Sequence, residues 1–164
     1  MFRRLFFPHS RLQGDGLELH LAERTTRDRH QGIRETITYD IIHPGSFLYA
    51  GYVSLRLGES PEIFYLGHIG YRVEPAFRGH GLAARAVTAL RPLIIDQGIN
   101  SLSITTDTDN IPSRKTCERL QCVLESIVPV PMQYRALCMN SPAKCRYIYF
   151  PQGTTPERTP LNEP

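Results

Sequence analysis

One arginine and two glycines are the first residues in the sequence whose types and spacing suggest chemistry. They lie in RGHGLA, residues 78–83, between a strand-like segment that ends in YRV and an alanine-rich stretch with helical spacing. The first N–H groups of a helix lack partners and lie at the positive end of its dipole. Glycines there let an anion approach the backbone, and Arg78 adds a fixed charge. The stretch therefore predicts a phosphate or pyrophosphate cradle.

Two of the known phosphate-binding patterns fit this stretch poorly. The Walker loop is excluded because no Gly-Lys-Ser/Thr follows the glycines. The dinucleotide fingerprint G-x-G-x-x-A matches Gly79, Gly81 and Ala84. That fingerprint should open its array of alternating strands and helices, whereas here four strand-like segments come first. A dinucleotide-binding protein therefore stays only as an alternative.

A third pattern is R-x-x-G-x-A at Arg78, Gly81 and Ala83, preceded by V-x-P at Val73 and Pro75. It resembles the acetyl-CoA pyrophosphate loop of the GNAT family of N-acetyltransferases. A second segment, NIPSRKTCERL, follows after a helix and a strand. It resembles the family element N-x-x-S-x-x-x-x-E-x-L, in the form typical of the branch with ribosomal-protein N-terminal acetyltransferases; the matching residues are Asn110, Ser113, Glu118 and Leu120. The resemblance covers roughly residues 66–125.

The resemblance implies a cofactor site at a point where the sheet splays open. Pantetheine would pair with main-chain groups of residues 70–73, and the pyrophosphate would lie on the N–H groups of residues 79–83. The acetyl-CoA-binding residues that it implies are Tyr71, Arg72, Val73, Arg78, Gly79, His80, Gly81, Leu82, Ala83, Asn110 and Ser113. His80 is either a cofactor contact or simply exposed. The amine acceptor would enter from the other side.

Direct acyl transfer needs a base, an oxyanion donor and an acid for the departing thiolate. His68 is the first candidate base, because an imidazole with a reference pKa near ~6.5 suits deprotonation of an ammonium. Asp107 is the second, and each of the two has a structural alternative. Cys117 occupies the helix position where relatives carry a tyrosine acid, so it is the candidate acid or a packing residue. Tyr147 and Tyr149 fit core packing better than the site.

The sequence departs from the family pattern in two further places. Gln121 and Cys122 replace the usual glycine and aromatic residue after the second helix, and a left-handed Gln121 would cost ~1 kcal/mol. The segment TTRDRHQGI is too short for the two helices that most relatives place on the acceptor side. We therefore expect an acceptor cleft that is open, or one that a second copy in a homodimer completes.

The elements that would position these residues change in character along the chain. Alternating or aromatic-rich segments at 17–24, 35–42, 47–57 and 63–73 indicate four strands, the last two joined by a hairpin at GESPE. A helix follows over 81–97 with Pro92 inside it, then strand 101–106, helix 109–121 and strands 122–128 and 144–150, the last two separated by a long loop. The pattern predicts an α/β (mixed α+β) domain over 1–150, with a splayed, mostly antiparallel sheet of about six or seven strands.

Composition limits the function classes. The 164 residues are 41% hydrophobic and 21% charged, with a net charge of +3 and no aromatic-basic stripe, so no nucleic-acid partner is expected. No apolar run reaches the ~20 residues that span a bilayer, so no membrane role is expected. MFRRLFFPHS is interpreted as an arm rather than a signal, and residues 151–164 as a disordered tail. Four clustered cysteines without metal-ligand spacing predict reduced packing thiols in the cytoplasm, and no metal.

The sequence thus predicts an N-acetyltransferase that moves the acetyl group of acetyl-CoA to a primary amine by direct transfer. Peptide N-termini, polyamines, aminoglycosides and sugar amines all stay open as acceptors. The alternative from another class is an acyl-CoA-binding module without catalysis, which the cysteine at the tyrosine position suggests.

Overall fold

The computed structural model describes residues 8–28, 32–43 and 45–153. Their strands are β1 (Arg11–Gly14), β2 (Leu17–Asp28), β3 (Ile33–Ile42), β4 (Tyr49–Leu57), β5 (Ile69–Val73), β6 (Leu102–Asp107), β7 (Val123–Pro129) and β8 (Ala143–Tyr149). These strands form one mixed sheet in the order β1-β2-β3-β4-β5-β6-β8-β7, in which only the β5–β6 pair is parallel. The predicted mixed fold is confirmed, with eight described strands instead of six or seven.

The helices pack on both faces of this sheet. They are α1 (Pro61–Leu66), α2 (Leu82–Ala89), α3 (Arg91–Asp96), α4 (Ile111–Arg119) and α5 (Met132–Arg135), with a 3₁₀ turn at Pro75–Phe77. None of the helices in the described ranges is long and apolar enough to span a bilayer.

Period-two alternation explains which face of the sheet carries the main core. Alternate residues of β3 and β4, among them Ile37, Tyr39 and Leu55, are fully buried on one face. They share a single apolar cluster with Val87 of α2, Ile94 of α3 and Cys117 of α4, so these three helices cover this side of the sheet. We call it the helical face.

The opposite face is covered only in part. The guanidinium of Arg146 lies 3.8 Å from the ring centroid of Phe64 in α1, and Thr105 donates to the carbonyl of Tyr65 at 3.0 Å. Tyr134 of α5 stacks on Tyr65 with ring centroids 5.0 Å apart. The two short helices therefore cover β6 and β8. No described helix covers this face over β2 to β4.

The segment 63–73 differs most from its sequence interpretation, which had one strand joined to β4 by a hairpin. Its first half is helix α1, and the connection is not a hairpin. Ser60 caps this helix by accepting the N–H of Ile63 at 3.1 Å, and Pro61 occupies its first turn. The helix ends at Gly67, whose φ of 81° stops it. Ile63 is the buried residue of this helix, whereas Phe64 and Tyr65, which indicated a strand, contact Arg146 of β8 and Tyr134 of α5.

Three smaller differences have local causes. The helix predicted over 81–97 is two helices, because Pro92 lacks an N–H and lies in the first turn of α3. Strand β1 has only four residues, too few to show an alternating pattern. The long loop before β8 contains α5, and Val130 and Cys138 on either side of it are buried.

Strands β5 and β6 separate almost as soon as they meet. They pair only at Ile69 and Ile104, with one further bond from the N–H of His68 to the carbonyl of Ser103 at 2.8 Å. Beyond Ile69, the main-chain groups of residues 70–73 on the β6 side have no strand partner among the described residues. This is the predicted splay.

The predictions for the two ends of the chain fall largely on residues outside the described ranges. Residues 1–7 of the predicted arm and residues 154–164 of the predicted tail are among these. Residues 151–153 form a turn in which Pro151 is buried.

Candidate active site

A cavity of about 600 Å³ lies on the helical face, between β5, the start of α2 and the side of α4. Every acetyl-CoA-binding residue that the resemblance implied lines it, except His80, which is exposed. The lining residues are Tyr71, Arg72, Val73, Phe77, Arg78, Gly79, Gly81, Leu82, Ala83, Asn110, Ile111, Pro112, Ser113, Lys115, Thr116 and Arg119. Two segments 30 residues apart in the sequence thus form one site, although the role of each residue stays a prediction.

The loop at residues 78–81 depends on left-handed backbone at both of its glycines. Gly79 has φ of 87°, and Gly81 has φ of 68° at the N-cap of α2. Other residues rarely adopt such angles. No side chain caps α2 among the described residues, and its first intrahelical bond runs from Arg85 to the carbonyl of Gly81. The N–H groups of the first turn therefore point out of the helix end without intrahelical acceptors, which is the arrangement that binds anions.

Three cations lie near this helix end. They are Arg78, Lys115 and Arg119, which line the cavity, and no aspartate or glutamate is among its lining residues. Arg72 also lines the cavity, but its Nε lies 3.7 Å from Glu74 Oε1. Arg119 comes closest to the loop, since a Cβ at Gly81 would lie 2.6 Å from its Nη1 atom. Arg78 donates from Nε to the carbonyl of Val73 at 2.9 Å, which leaves its terminal nitrogens available. The site therefore suits a ligand with several negative charges.

The sequence interpretation did not single out Lys115 and Arg119. Their spacing of four residues puts both on one side of α4, and this signal was present in the predicted helix. The N-cap of that helix is Asn110, whose Oδ1 accepts the N–H of Ser113 at 3.1 Å. Gln121, which replaces the family's usual glycine, has φ of 57° and is thus left-handed.

A hydroxyl network forms the inner end of the cavity, where β5 meets α4. Tyr71 Oη lies 2.8 Å from Ser113 Oγ, and both residues line the cavity. Burial raises the pKa of Tyr71, and the neighbouring Cys117 thiol raises it further. The phenol is therefore protonated at neutral pH and can act as a proton donor.

Cys117 lies behind this network rather than in the cavity. It is fully buried in the apolar cluster and does not line the cavity. A hydrogen bond between the two thiols lowers the pKa of Cys117 and raises that of Cys122, and burial raises the pKa of Cys122 further. All four cysteines are free thiols. The acid role of Cys117 stays a prediction, and its surroundings are those of a packing residue.

His68 lies on the opposite face of the sheet, one residue before the β5–β6 bridge. Its Nδ1 accepts the N–H of Ser103 at 3.1 Å and lies 2.9 Å from Ser103 Oγ. Its Nε2 lies 3.2 Å from the carbonyl of Gly58 and 3.1 Å from Glu59 Oε1. Because the carbonyl can only accept, Nε2 carries the proton and Nδ1 the lone pair. Taking up a second proton would break the bond from Ser103.

Asp107, the second candidate base, is held in an ion pair. Its Oδ1 lies 2.5 Å from Nζ of Lys144, a residue only 7% exposed. Burial alone would raise the pKa of Asp107, but the hydrogen bonds from Lys144 and Ser141 outweigh it and the pKa is lowered. A carboxylate with a lowered pKa is a weak base. Neither candidate base lines the cavity.

A comparison with protein families decides which family this arrangement represents. The profile of the acetyltransferase (GNAT) domain matches residues 7–123, which include strands β1 to β6, the glycine loop and α4. The chain belongs to the GNAT acetyltransferase family. No curated protein matches its sequence.

Solved GNAT structures share the fold at low sequence identity. RimL, a ribosomal L7/L12 α-N-protein acetyltransferase in complex with coenzyme A, is 16% identical with a TM-score of 0.60, over 85% of this chain and 97% of RimL. The ribosomal-protein-S5-alanine acetyltransferase of Vibrio fischeri is 14% identical with a TM-score of 0.62, over 89% and 99%. The microcin C7 self-immunity acetyltransferase MccE, in complex with acetyl-CoA and AMP, is 23% identical with a TM-score of 0.54. The match covers 70% of this chain but only 61% of MccE.

One other side-chain prediction can be compared with this structure. Tyr147 and Tyr149 are 3% and 4% exposed in the core, as their packing interpretation required. Among the described residues, no group of three or more histidine, cysteine, aspartate or glutamate side chains is arranged to hold a metal ion.

Proposed function

We propose that this GNAT chain transfers the acetyl group of acetyl-CoA directly to a primary amine. The observation that carries the proposal is the glycine loop at the N-terminus of α2, which lies beside the splayed strand β5 in a cavity lined by Arg78, Lys115 and Arg119 and by no carboxylate. Coenzyme A carries a pyrophosphate, a further phosphate and a pantetheine arm with amide groups. The cavity offers N–H groups and cations for the phosphates, and the free main chain of residues 70–73 for the amides.

The chemistry proposed is a single displacement on the thioester. The lone pair of the amine attacks the carbonyl carbon, the C–S bond breaks, and the nitrogen loses a proton while the thiolate gains one. Because the splay opens through the sheet, the amine can approach from the opposite face while the cofactor lies on the helical face. Holding both reactants at one point removes much of the entropic barrier.

We infer that Tyr71 is the proton donor to the departing thiolate. Its hydroxyl lines the cavity at the splayed strand and is kept protonated by burial. Cys117, one layer deeper, supports this hydroxyl from behind. For the base we retain His68 and Asp107 as hypotheses, with the contacts of both arguing for structural roles. If neither acts, the amine itself must arrive deprotonated.

A non-catalytic acyl-CoA-binding module is the second candidate, and the buried cysteine at the tyrosine position favours it. The experiment that separates the two is incubation of the protein with acetyl-CoA and a panel of peptide, polyamine and aminoglycoside amines, followed by mass spectrometry of the products. If the protein is an enzyme, acetylated amine should form at a rate proportional to the protein concentration. Tight acetyl-CoA binding without product from any amine would favour the module.

Titration of the same protein with NAD and NADP tests the remaining alternative. The proposal predicts saturable binding of acetyl-CoA and none of either dinucleotide at the same concentrations. Dinucleotide binding without acetyl-CoA binding would contradict it.

A further inference from the structure

Arg56 is a cation on the acceptor side of the sheet. It lies in β4, opposite Thr36 in β3, and its main-chain N–H donates to the carbonyl of His68 at 2.7 Å. Since Tyr71 faces the cavity and side chains alternate along a strand, Gly70 and Arg56 belong to the opposite face. The guanidinium lies directly over Gly70: a Cβ there would be 2.7 Å from Nη2 and 3.1 Å from Nη1.

Gly70 is the first residue beyond the single β5–β6 bridge, so it marks the apex of the splay. Under the proposed function, this is the point where the thioester meets the incoming amine. Arg56 therefore lies over the reaction point, on the face from which the amine approaches.

The guanidinium has little to neutralise it. Within the described ranges, its one side-chain hydrogen bond runs from Nη1 to the carbonyl of Gly67 at 3.2 Å. Among the described residues, no carboxylate lies within 4 Å of it. Burial lowers the pKa of Arg56, which shows that its surroundings disfavour the charge. A half-buried guanidinium with five donors and one carbonyl partner can still bind an anion through two parallel bonds.

The surface beside Arg56 leaves room for such an anion. Its cross-strand neighbour is Thr36, and the next pair along is Thr38 with Ser54, whose hydroxyls are 2.8 Å apart. These side chains are short, neutral and able to hydrogen-bond. No helix in the described ranges covers them. By strand alternation the same face also carries Arg34, two residues from Thr36 along β3, and Glu23 of β2, which lies opposite Thr38 and accepts a hydrogen bond from Thr25 at 3.1 Å. A ligand beside Arg56 would therefore meet hydroxyl groups, with one further cation and one carboxylate at their margins.

We propose that Arg56 selects amine acceptors that also carry a carboxylate, such as peptides whose N-terminal residue is acidic. The guanidinium binds the carboxylate and thereby holds the amine at the apex of the splay. This inference rests on the proposed acetyl transfer and specifies its substrate class.

Binding of matched amines to the CoA-saturated protein tests the inference without turnover. The pairs are aspartyl-alaninamide against asparaginyl-alaninamide, and glutamyl-alaninamide against glutaminyl-alaninamide, titrated calorimetrically. We expect at least one acidic peptide to bind tenfold or more tightly than its neutral partner. Arg56→Met should reduce that ratio below twofold. Arg91→Met, which removes an exposed arginine from α3 on the other face of the sheet, should leave it unchanged.

The melting temperature separates this role from a structural one. Replacing a largely desolvated cation that has no carboxylate partner by an apolar side chain of similar length is often neutral or stabilising, so Arg56→Met should melt at or above the wild-type temperature. A lower melting temperature together with equal weakening of both members of each pair would mean that Arg56 only holds the end of α1. No wild-type preference, or its loss in Arg91→Met as well, would also overturn the inference.

Failure of the proposed function gives a different result. If neither CoA nor acetyl-CoA binds, acetyl transfer is wrong, and the peptide pairs are then compared on the protein alone. If CoA binds and amines are acetylated without regard to the carboxylate, only the role of Arg56 is wrong.

Discussion

At the scale of single residues, the account rests first on the backbone of Gly81. In Gly81→Ala the new Cβ would displace the Arg119 guanidinium from the loop and strain the left-handed N-cap. We expect the acetyl-CoA dissociation constant to rise about tenfold, equivalent to ~1.4 kcal/mol, in calorimetric titration. Gly98→Ala is the matched control, because Gly98 has φ of 71° with nothing within 4 Å of the added Cβ. Equal losses in both variants would show general strain rather than a phosphate site.

A second residue-scale prediction concerns the proton for the thiolate. Tyr71→Phe removes the hydroxyl while keeping the ring, so turnover should fall by ~10²-fold, as expected for loss of a general acid. Cys117→Ala should lower the free energy of unfolding by ~1 kcal/mol with turnover nearly intact. Steady-state rates and melting temperatures of the two variants test this. The reverse result, normal turnover in Tyr71→Phe and a large loss in Cys117→Ala, would restore Cys117 as the acid.

His68→Ala separates a base from a structural link. Loss of a base should reduce turnover ~10²–10⁴-fold and remove an ionisation from the pH–rate profile, with acetyl-CoA affinity unchanged. Loss of the hydrogen bonds to Ser103 and Gly58 should instead lower the melting temperature with a small effect on turnover. Because both ring nitrogens are already engaged, we expect the second outcome. A pH–rate profile that loses its acid limb would show that His68 is the base.

The phosphate loop could be predicted from the sequence, whereas the contacts on the acceptor side could not, and the reason is physical. The loop is local: Arg78, Gly79 and Gly81 lie close together in one strand-to-helix turn, so their types and spacing contain the geometry. Arg56 and Gly70 meet only because β4 pairs with β5, and nothing in either segment alone indicates that contact. The tautomer of His68 likewise depends on partners far away in the sequence.

At the scale of elements, helix α4 is predicted to act as a cationic wall for the phosphates. Arg119→Ala should weaken acetyl-CoA binding about tenfold and reduce its salt dependence, because one contact between opposite charges is lost. Lys115→Ala should have an effect of the same sign. The measurement is calorimetric titration at two salt concentrations, with Arg34→Ala as the control outside the cavity. Unchanged affinity and salt dependence in both α4 variants would remove this helix from the cofactor site.

The elements that were mispredicted show how local signals compete. Ser60, Pro61 and Glu62 form a helix start, and Gly67 a helix stop, but the aromatic and β-branched residues between and beyond them favoured a strand. Capping decides in this case because α1 has only six residues and can bury its apolar side against the sheet. The mixed sheet itself was predictable, since alternation in β2 to β4 and helical spacing in α2 are long enough to be distinctive.

At the scale of the whole molecule, the Asp107–Lys144 pair links stability to pH. The pKa of Asp107 is lowered on folding, so the pair stabilises the protein above the ordinary aspartate pKa of ~3.9, and this contribution is lost as the pH falls through the lower folded value. Asp107→Asn should cost about 2 kcal/mol of unfolding free energy near neutral pH and flatten the acid side of the stability curve. Denaturant unfolding at several pH values measures both. Turnover below the melting temperature should stay within threefold; a loss of 10²-fold would identify Asp107 as the base.

The proposed binding sites for the cofactor and for the acceptor lie on opposite faces of the sheet. The helical face carries a cavity with cations for the cofactor, and the uncovered part of the opposite face carries Arg56 for the acceptor. A second copy of the chain that completes the acceptor side stays a prediction, which sedimentation equilibrium with and without CoA would test.

The measurement that bears most directly on the central claim is calorimetric titration of acetyl-CoA into the wild-type protein, followed by mass spectrometry of the same sample after an amine is added. The account predicts one acetyl-CoA bound per chain, a tenfold weaker Gly81→Ala variant, and acetylated amine in the wild-type sample. A folded wild-type protein that gives no binding heat and no acetylated product with any amine of the panel would contradict it.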